Sequence, residues 1–156
     1  MKSKIVLFLI FIVSNLGALG IGTLLMNNGA NSEWYNKLNK APWTPEGWVF
    51  GAAWFSLMIC FSIYMTQLVS KFEVPDTQLI KLYVIQWILN VSWNYFFFNK
   101  NLTVLGLVII VALWLLVGYF TFKYLNQMKY ATLFILPYLI WMTIATSLNA
   151  YIVINN

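Results

Sequence analysis

The sequence predicts an all-α integral membrane protein: a bundle of five transmembrane helices whose structured first loop acts as a lid. The chain is 62% hydrophobic, 19% aromatic and only 8% charged, too apolar for a soluble domain that must cover its surface with polar groups. Its charges divide it into five uncharged windows, each of about 18 residues or more, the length a helix needs to cross about 30 Å of hydrocarbon at about 1.5 Å per residue. No run shows the period-2 alternation of a membrane barrel. The expected spans are 5–26, 47–70, 79–99, 101–123 and 130–153, in a single domain covering 1–156.

Taken in order, Lys2 and Lys4 precede an apolar run that has the outline of a cleavable signal peptide, but the run continues to Met26, which favours a retained first span. Ser14, Ala18 and Gly22, spaced four apart, suit a close helix contact. Asn27 to Asn31 form a turn cluster. Ser32 can cap a short interfacial helix that carries Trp34, Tyr35 and Leu38 towards lipid or a cavity.

The stretch Trp34 to Trp54 organises the rest, holding four of the eight tryptophans. Pro42 and Pro45 remove backbone donors and bias the preceding residues towards extended conformation, so no helix runs through it. It feeds directly into the second span, and a rigid aromatic loop in that place suits a lid over a binding cavity. Phe72 to Thr77 separate spans two and three, with Asp76 or Thr77 as cap. Lys100 and its flanking asparagines mark a hairpin between spans three and four, and Asn126 to Lys129 another between four and five.

The positive charge consists of nine lysines. Lys2, Lys4, Lys71, Lys81, Lys123 and Lys129 fall on the amino-terminal side, and Lys37, Lys40 and Lys100 on the other. The positive-inside bias therefore puts the amino terminus in the cytoplasm and the lid on the opposite face. No basic cluster is dense enough for nucleic acid. The single Cys60 forms no intrachain disulfide.

Helical spacing puts Phe50, Trp54, Met58 and Phe61 on one face of span two. Span three presents Gln86, Asn90, Trp93, Asn94 and Phe97, and span five Trp141, Ala145, Leu148 and Asn149. Amides in hydrocarbon must find partners, so these faces turn inward. Interhelical bonding and plain bundle packing would account for such stripes singly; aromatic walls, a few fixed amides and an adjoining lid together make a ligand pocket. The chain contains no histidine, and no span interior carries a charge, which argues against ion-coupled transport and a buried Schiff base. Neither paired carboxylates, a Ser/His/Asp set nor a Cys/His metal cluster can be assembled.

Three motifs resemble the tryptophan-rich sensory protein family, also called translocator protein or peripheral benzodiazepine receptor. They are Leu38-Asn39-Lys40-Ala41-Pro42-Trp43-Thr44-Pro45 running to Trp48-Val49-Phe50-Gly51 and Trp54; Gln86-Trp87 with Leu89-Asn90, Trp93 and Phe97-Phe98; and Pro137-Tyr138-Leu139 with Trp141, Ala145-Thr146 and Leu148-Asn149. The resemblance spans the chain. It implies a five-helix membrane bundle, often a homodimer, in a bacterial cell membrane, whose first loop covers a pocket for porphyrins (protoporphyrin IX, haem) and benzodiazepine-type drugs, with a sensory or transport role. Carried over by motif, Tyr35, Pro45, Phe50 and Trp54 come from the lid and second helix, Asn90, Trp93, Asn94 and Phe97 from the third, and Trp141, Ala145 and Leu148 from the fifth; Met58 joins them by spacing. No obligatory cofactor and no metal site are expected, and a porphyrin would be held by stacking, by amide contacts from Asn90 or Asn94, and by Lys37 or Lys40 reaching a propionate. Some relatives degrade protoporphyrin in light, a reading in which Trp54 and Trp141 would exchange electrons with the excited ligand; the rival is a structural protein without a ligand. The chain departs from the family pattern at Glu46 and Ala52, where prolines are usual. It also lacks a basic residue after Tyr151, so cholesterol handling through that pattern is not supported.

Overall fold

The computed structural model describes residues 3–72 and 76–156; Met1 and Lys2, with their part of the terminal charge, and Glu73, Val74 and Pro75 of the second connection lie outside the described residues. Every regular element is helical, with no strand among the described residues. Its α-helices in order are α1 (Lys4–Leu25), α2 (Glu33–Lys37), α3 (Gly47–Val69), α4 (Thr77–Asn94), α5 (Thr103–Lys123), α6 (Leu125–Met128) and α7 (Leu136–Asn155). Two 3₁₀ turns, Gly29–Asn31 and Lys129–Phe134, and a π-helical turn, Tyr95–Asn99, complete it.

Four helices, α1, α3, α5 and α7, are long and apolar enough to cross a membrane. Helix α4 falls short by composition, because Lys81, Gln86, Asn90 and Asn94 interrupt its apolar residues. It is nevertheless an integral part of the packing. Helix α1 lies against α3 and α4, α4 against α5, α5 against α7, and α7 against α3, so contacts run in a closed circuit. Large side chains fill its middle: Phe61, Tyr64, Phe120 and Tyr138 are fully buried. Tyr64 OH donates to the Phe120 carbonyl at 2.9 Å, and Gln86 Nε2 donates to Tyr138 OH at 2.9 Å. Each bond satisfies a polar group where no water can reach it.

The helix ends follow local chemistry. Ser32 Oγ accepts from the Tyr35 amide at 3.2 Å and starts α2; Asp76 accepts from the Gln78 amide at 2.9 Å and starts α4. Asn27 and Asn101 adopt left-handed backbone (φ 55° and 57°) at the turns after α1 and before α5, a conformation asparagine tolerates. The last long helix begins at Leu136, not near 130: Lys129 takes φ 48° and the next residues wind as 3₁₀, so α7 starts only at the Leu136-Pro137 pair, where proline costs no hydrogen bond.

The small-residue face of α1 is a close contact. Ala18 and Gly22 are buried, and a Cβ on Gly22 would stand 2.7 Å from Asn94 Nδ2. One turn back the contact becomes polar: Asn15 Nδ2 donates to Ser62 Oγ at 2.8 Å, and Tyr83 OH lies 2.9 Å from Ser14 Oγ and 2.8 Å from Asn15 Oδ1. Helices α1, α3 and α4 are thereby fixed in register below the site.

Candidate functional site

A cavity of about 630 Å³ opens where the α1–α3 connection meets α1, α3 and α4, a volume suited to a small organic ligand. Helix α3 enters it with Phe50 and Trp54, one turn apart, between the bare surfaces of Gly47 and Gly51. Helix α4 supplies Asn90, Trp93 and Asn94, the π turn supplies Phe98, and the connection supplies Tyr35, Pro45, Thr44 and Lys40. Burial pushes the pKa of the Tyr35 hydroxyl above its ordinary value, so it stands here as a neutral phenol.

The wall is held rigid from behind. Trp93 lies stacked between Trp54, at 6.4 Å between ring centroids, and Phe97, at 5.5 Å. Its indole N–H donates to Asn149 Oδ1 at 3.2 Å, and Asn149 Nδ2 donates to the Ala145 carbonyl at 3.0 Å. Helix α7 thus sets the plane of Trp93 without reaching the cavity. Asn90 Nδ2 points at Met58 Sδ, 3.8 Å away, and Asn94 Nδ2 donates to the Asn90 carbonyl at 3.3 Å.

Of the residues expected at the pocket, Tyr35, Pro45, Phe50, Trp54, Asn90, Trp93 and Asn94 are brought together around this space. The others stand one layer back. Met58 is fully buried beneath Asn90, and Ala145 and Leu148 are buried on α7. Trp141 packs edge-on against Phe50 at 5.5 Å, with Phe50 between it and the cavity. Its indole N–H is buried without a partner. Phe97 is displaced for a specific reason. Lys100 N bonds to the Tyr95 carbonyl, an i to i+5 step that inserts an extra residue into the turn. The rotation sends Phe97 into the core under Trp93 and brings Phe98 to the wall in its place.

Helix α1 also contributes Leu19, Thr23 and Met26, which spacing did not single out. The four-residue spacing of Ser14, Ala18 and Gly22 marks a contact face of span one but no aromatic or amide stripe of the kind that marks a cavity wall; Gly22 brings this side of α1 against Asn94.

The connection is fastened from outside by α7. Trp43 Nε1 donates to Ser147 Oγ at 3.1 Å, and its ring meets Tyr151 edge-on at 5.5 Å. Asn156 clasps the Asn39 backbone from both sides, accepting from its N–H at 2.8 Å and donating to its carbonyl at 3.2 Å. Glu46, where the family pattern has proline, accepts from Trp48 Nε1 at 2.7 Å and precedes the first residue of α3. Among the described residues no group of three or more His, Cys, Asp or Glu side chains could hold a metal ion.

The family model described as the TspO/MBR family matches residues 8–154. A tryptophan-rich sensory protein of Cereibacter sphaeroides is 33% identical over 143 residues, which cover 92% of this chain and 87% of the relative. The tryptophan-rich protein TspO of Chlorobaculum tepidum is 32% identical over 122 residues, 76% of each chain. Protein CrtK of Rhodobacter capsulatus is 30% identical over 118 residues, 74% of each.

Proposed function

Because the chain belongs to the TspO/MBR family of membrane proteins, we propose that it is a membrane receptor or carrier that takes porphyrins, including protoporphyrin IX and haem, and hydrophobic benzodiazepine-type drugs into the cavity described above. In this reading α4 is a fifth span, tolerable in lipid because Gln86 and Asn90 are buried inside the protein. The α1–α3 connection is the lid, and the amino terminus is cytoplasmic in a bacterial cell membrane. The observation that carries the proposal is the wall itself: Trp54 stacked on Trp93, with Phe50, Tyr35 and Phe98 around them and two amides between. Flat aromatic ligands are held by such faces, and a few fixed polar groups set their orientation.

A ligand that binds only the folded protein must stabilise it by mass action, about 2.7 kcal/mol at a hundred times Kd. Protoporphyrin IX and a benzodiazepine-type drug should therefore each raise the melting temperature of the detergent-solubilised protein in a dose-dependent way. A flat response to both, at concentrations up to their solubility limit, would leave a structural protein as the better reading.

The Trp54–Trp93 stack beside the cavity also favours a second reading, light-dependent porphyrin degradation, in which Trp54 exchanges an electron with the excited ligand and Trp141 takes part only through Phe50. Turnover should then require illumination and disappear when Trp54 and Trp141 are both replaced by Phe.

A further inference from the structure

The cavity is electrically one-sided. Among the described residues Lys40 is the one charged side chain that lines it; the other lining residues are apolar or neutral. The nearest acidic residues in sequence point elsewhere, Glu33 to Lys37 at 3.6 Å on the exposed face of α2, and Glu46 to the indole of Trp48. Lys37, the other cation of the connection, is thus paired outside the cavity. Lys40 makes no ion pair among the described residues. Its ammonium sits over the Tyr35 ring, 4.5 Å from the centroid. A ring face attracts an ammonium far less than a carboxylate does. Tyr35 and Lys40 line the same space, so an anionic group entering it meets a cation already held in place, beside the amide donors of Asn31 and Asn36.

Resting on the reading that this cavity is the ligand site, we propose that Lys40 is its specificity-determining residue and selects flat hydrophobic ligands that carry a carboxylate, rejecting cationic ones of the same shape. The ligand's aromatic face lies on Trp54 and Trp93 while its carboxylate replaces the Tyr35 ring as the partner of Lys40. Among the described residues no carboxylate lines the wall to pair with a cation.

The test compares protoporphyrin IX, which has two carboxylates, with its uncharged dimethyl ester, both titrated into the full-length protein in nanodiscs of neutral lipid by tryptophan fluorescence quenching. The parent should bind the acid at least tenfold more tightly than the ester, and the acid alone should weaken as salt is raised. Lys40→Met should abolish the preference, bringing the acid to the ester's affinity, whereas Lys40→Arg and Lys37→Met should keep it. Should Lys40→Met fail to fold, Lys40→Gln and the salt dependence of the parent carry the same decision. Equal affinity of acid and ester in the parent, or a preference that survives Lys40→Met, overturns the role of Lys40 while leaving the cavity as the ligand site. If neither porphyrin quenches the parent, the ligand site itself is lost, and the inference with it.

Discussion

At the scale of single residues, Trp54 and Trp141 look equivalent in sequence, each on an inward stripe, yet they occupy different layers. Trp54 is a wall of the cavity; Trp141 touches the ring of Phe50, which is. Trp54→Ala should weaken protoporphyrin binding at least tenfold, about 1.4 kcal/mol, and Trp141→Ala distinctly less. Trp48→Ala, at an exposed indole outside the cavity, should stay within about twofold of the parent. Quenching titrations on variants that keep the parent's helicity rank the three directly, and a larger effect at Trp141 than at Trp54 would mean that the ligand lies deeper than this cavity. The iron of haem should matter little. The chain has no histidine, and Cys60 does not line the cavity, so free-base protoporphyrin should bind within about tenfold of haem. Bound haem should lack a strong-field histidine spectrum; an affinity for haem hundreds of times higher, lost on Tyr35→Phe, would reveal an iron ligand.

At the scale of elements, what the sequence could and could not show divides along helical geometry. Windows free of charge reveal a helix that must lie in lipid, and four-residue spacing reveals which side of α3 and α4 turns inward, because amides and tryptophans stand out against aliphatic neighbours. On α1 the contrast, at Ser14, Asn15, Ala18 and Gly22, marks the helix contact and not the cavity, so the contribution of Leu19, Thr23 and Met26 at this end of the helix has no signal in the spacing. Spacing also assumes an unbroken α-helix, and the π turn at Tyr95–Asn99 breaks that assumption at Phe97. The turn is braced by α5: a Cβ on Gly106 would stand 2.8 Å from Phe97 Cδ2 and 3.0 Å from Phe97 Cβ. Because one of the crowded atoms is a Cβ, rotating the phenyl ring cannot relieve the clash; the helices must separate or the turn must rewind. Gly106→Ala should cost about 1–3 kcal/mol, seen as a lower melting temperature, and should weaken porphyrin binding through the displaced Phe97 and Phe98. On α1, Gly17→Ala and Gly20→Ala meet nothing within 4 Å and should gain up to about 1 kcal/mol of helix propensity. A Gly106→Ala protein as stable as these controls would show that the π turn does not depend on the α5 contact.

At the scale of the whole molecule, the lysines and the packing bear on the same question, which end faces the cytoplasm. Two hydrogen bonds gather one end of the protein: Asn99 Nδ2 donates to the Leu25 carbonyl at 3.0 Å, joining the carboxyl ends of α1 and α4, and Asn156 clasps Asn39, joining the end of α7 to the connection. That end contains Lys37, Lys40 and Lys100, whereas Lys4, Lys71, Lys81, Lys123 and Lys129 belong to the helix ends opposite. In the proposed orientation, which follows from the positive-inside bias, the cavity at the lysine-poor end opens away from the cytoplasm, and a ligand would enter from outside the cell or from the outer leaflet. In a Cys60→Ser background, a membrane-impermeant maleimide added to intact cells should modify Asn28→Cys, an exposed position beside the connection, and should reach Asn126→Cys, exposed at the other end on α6, only after permeabilisation. The reverse pattern would turn the protein over and place the cavity mouth in the cytoplasm. Since six lysines against three is a modest bias, weakening it is a further check: adding lysines at Asn28 and Asn101, which makes it six against five, should shift a fraction of molecules to the inverted topology, with Asn126→Cys labelled in intact cells in proportion.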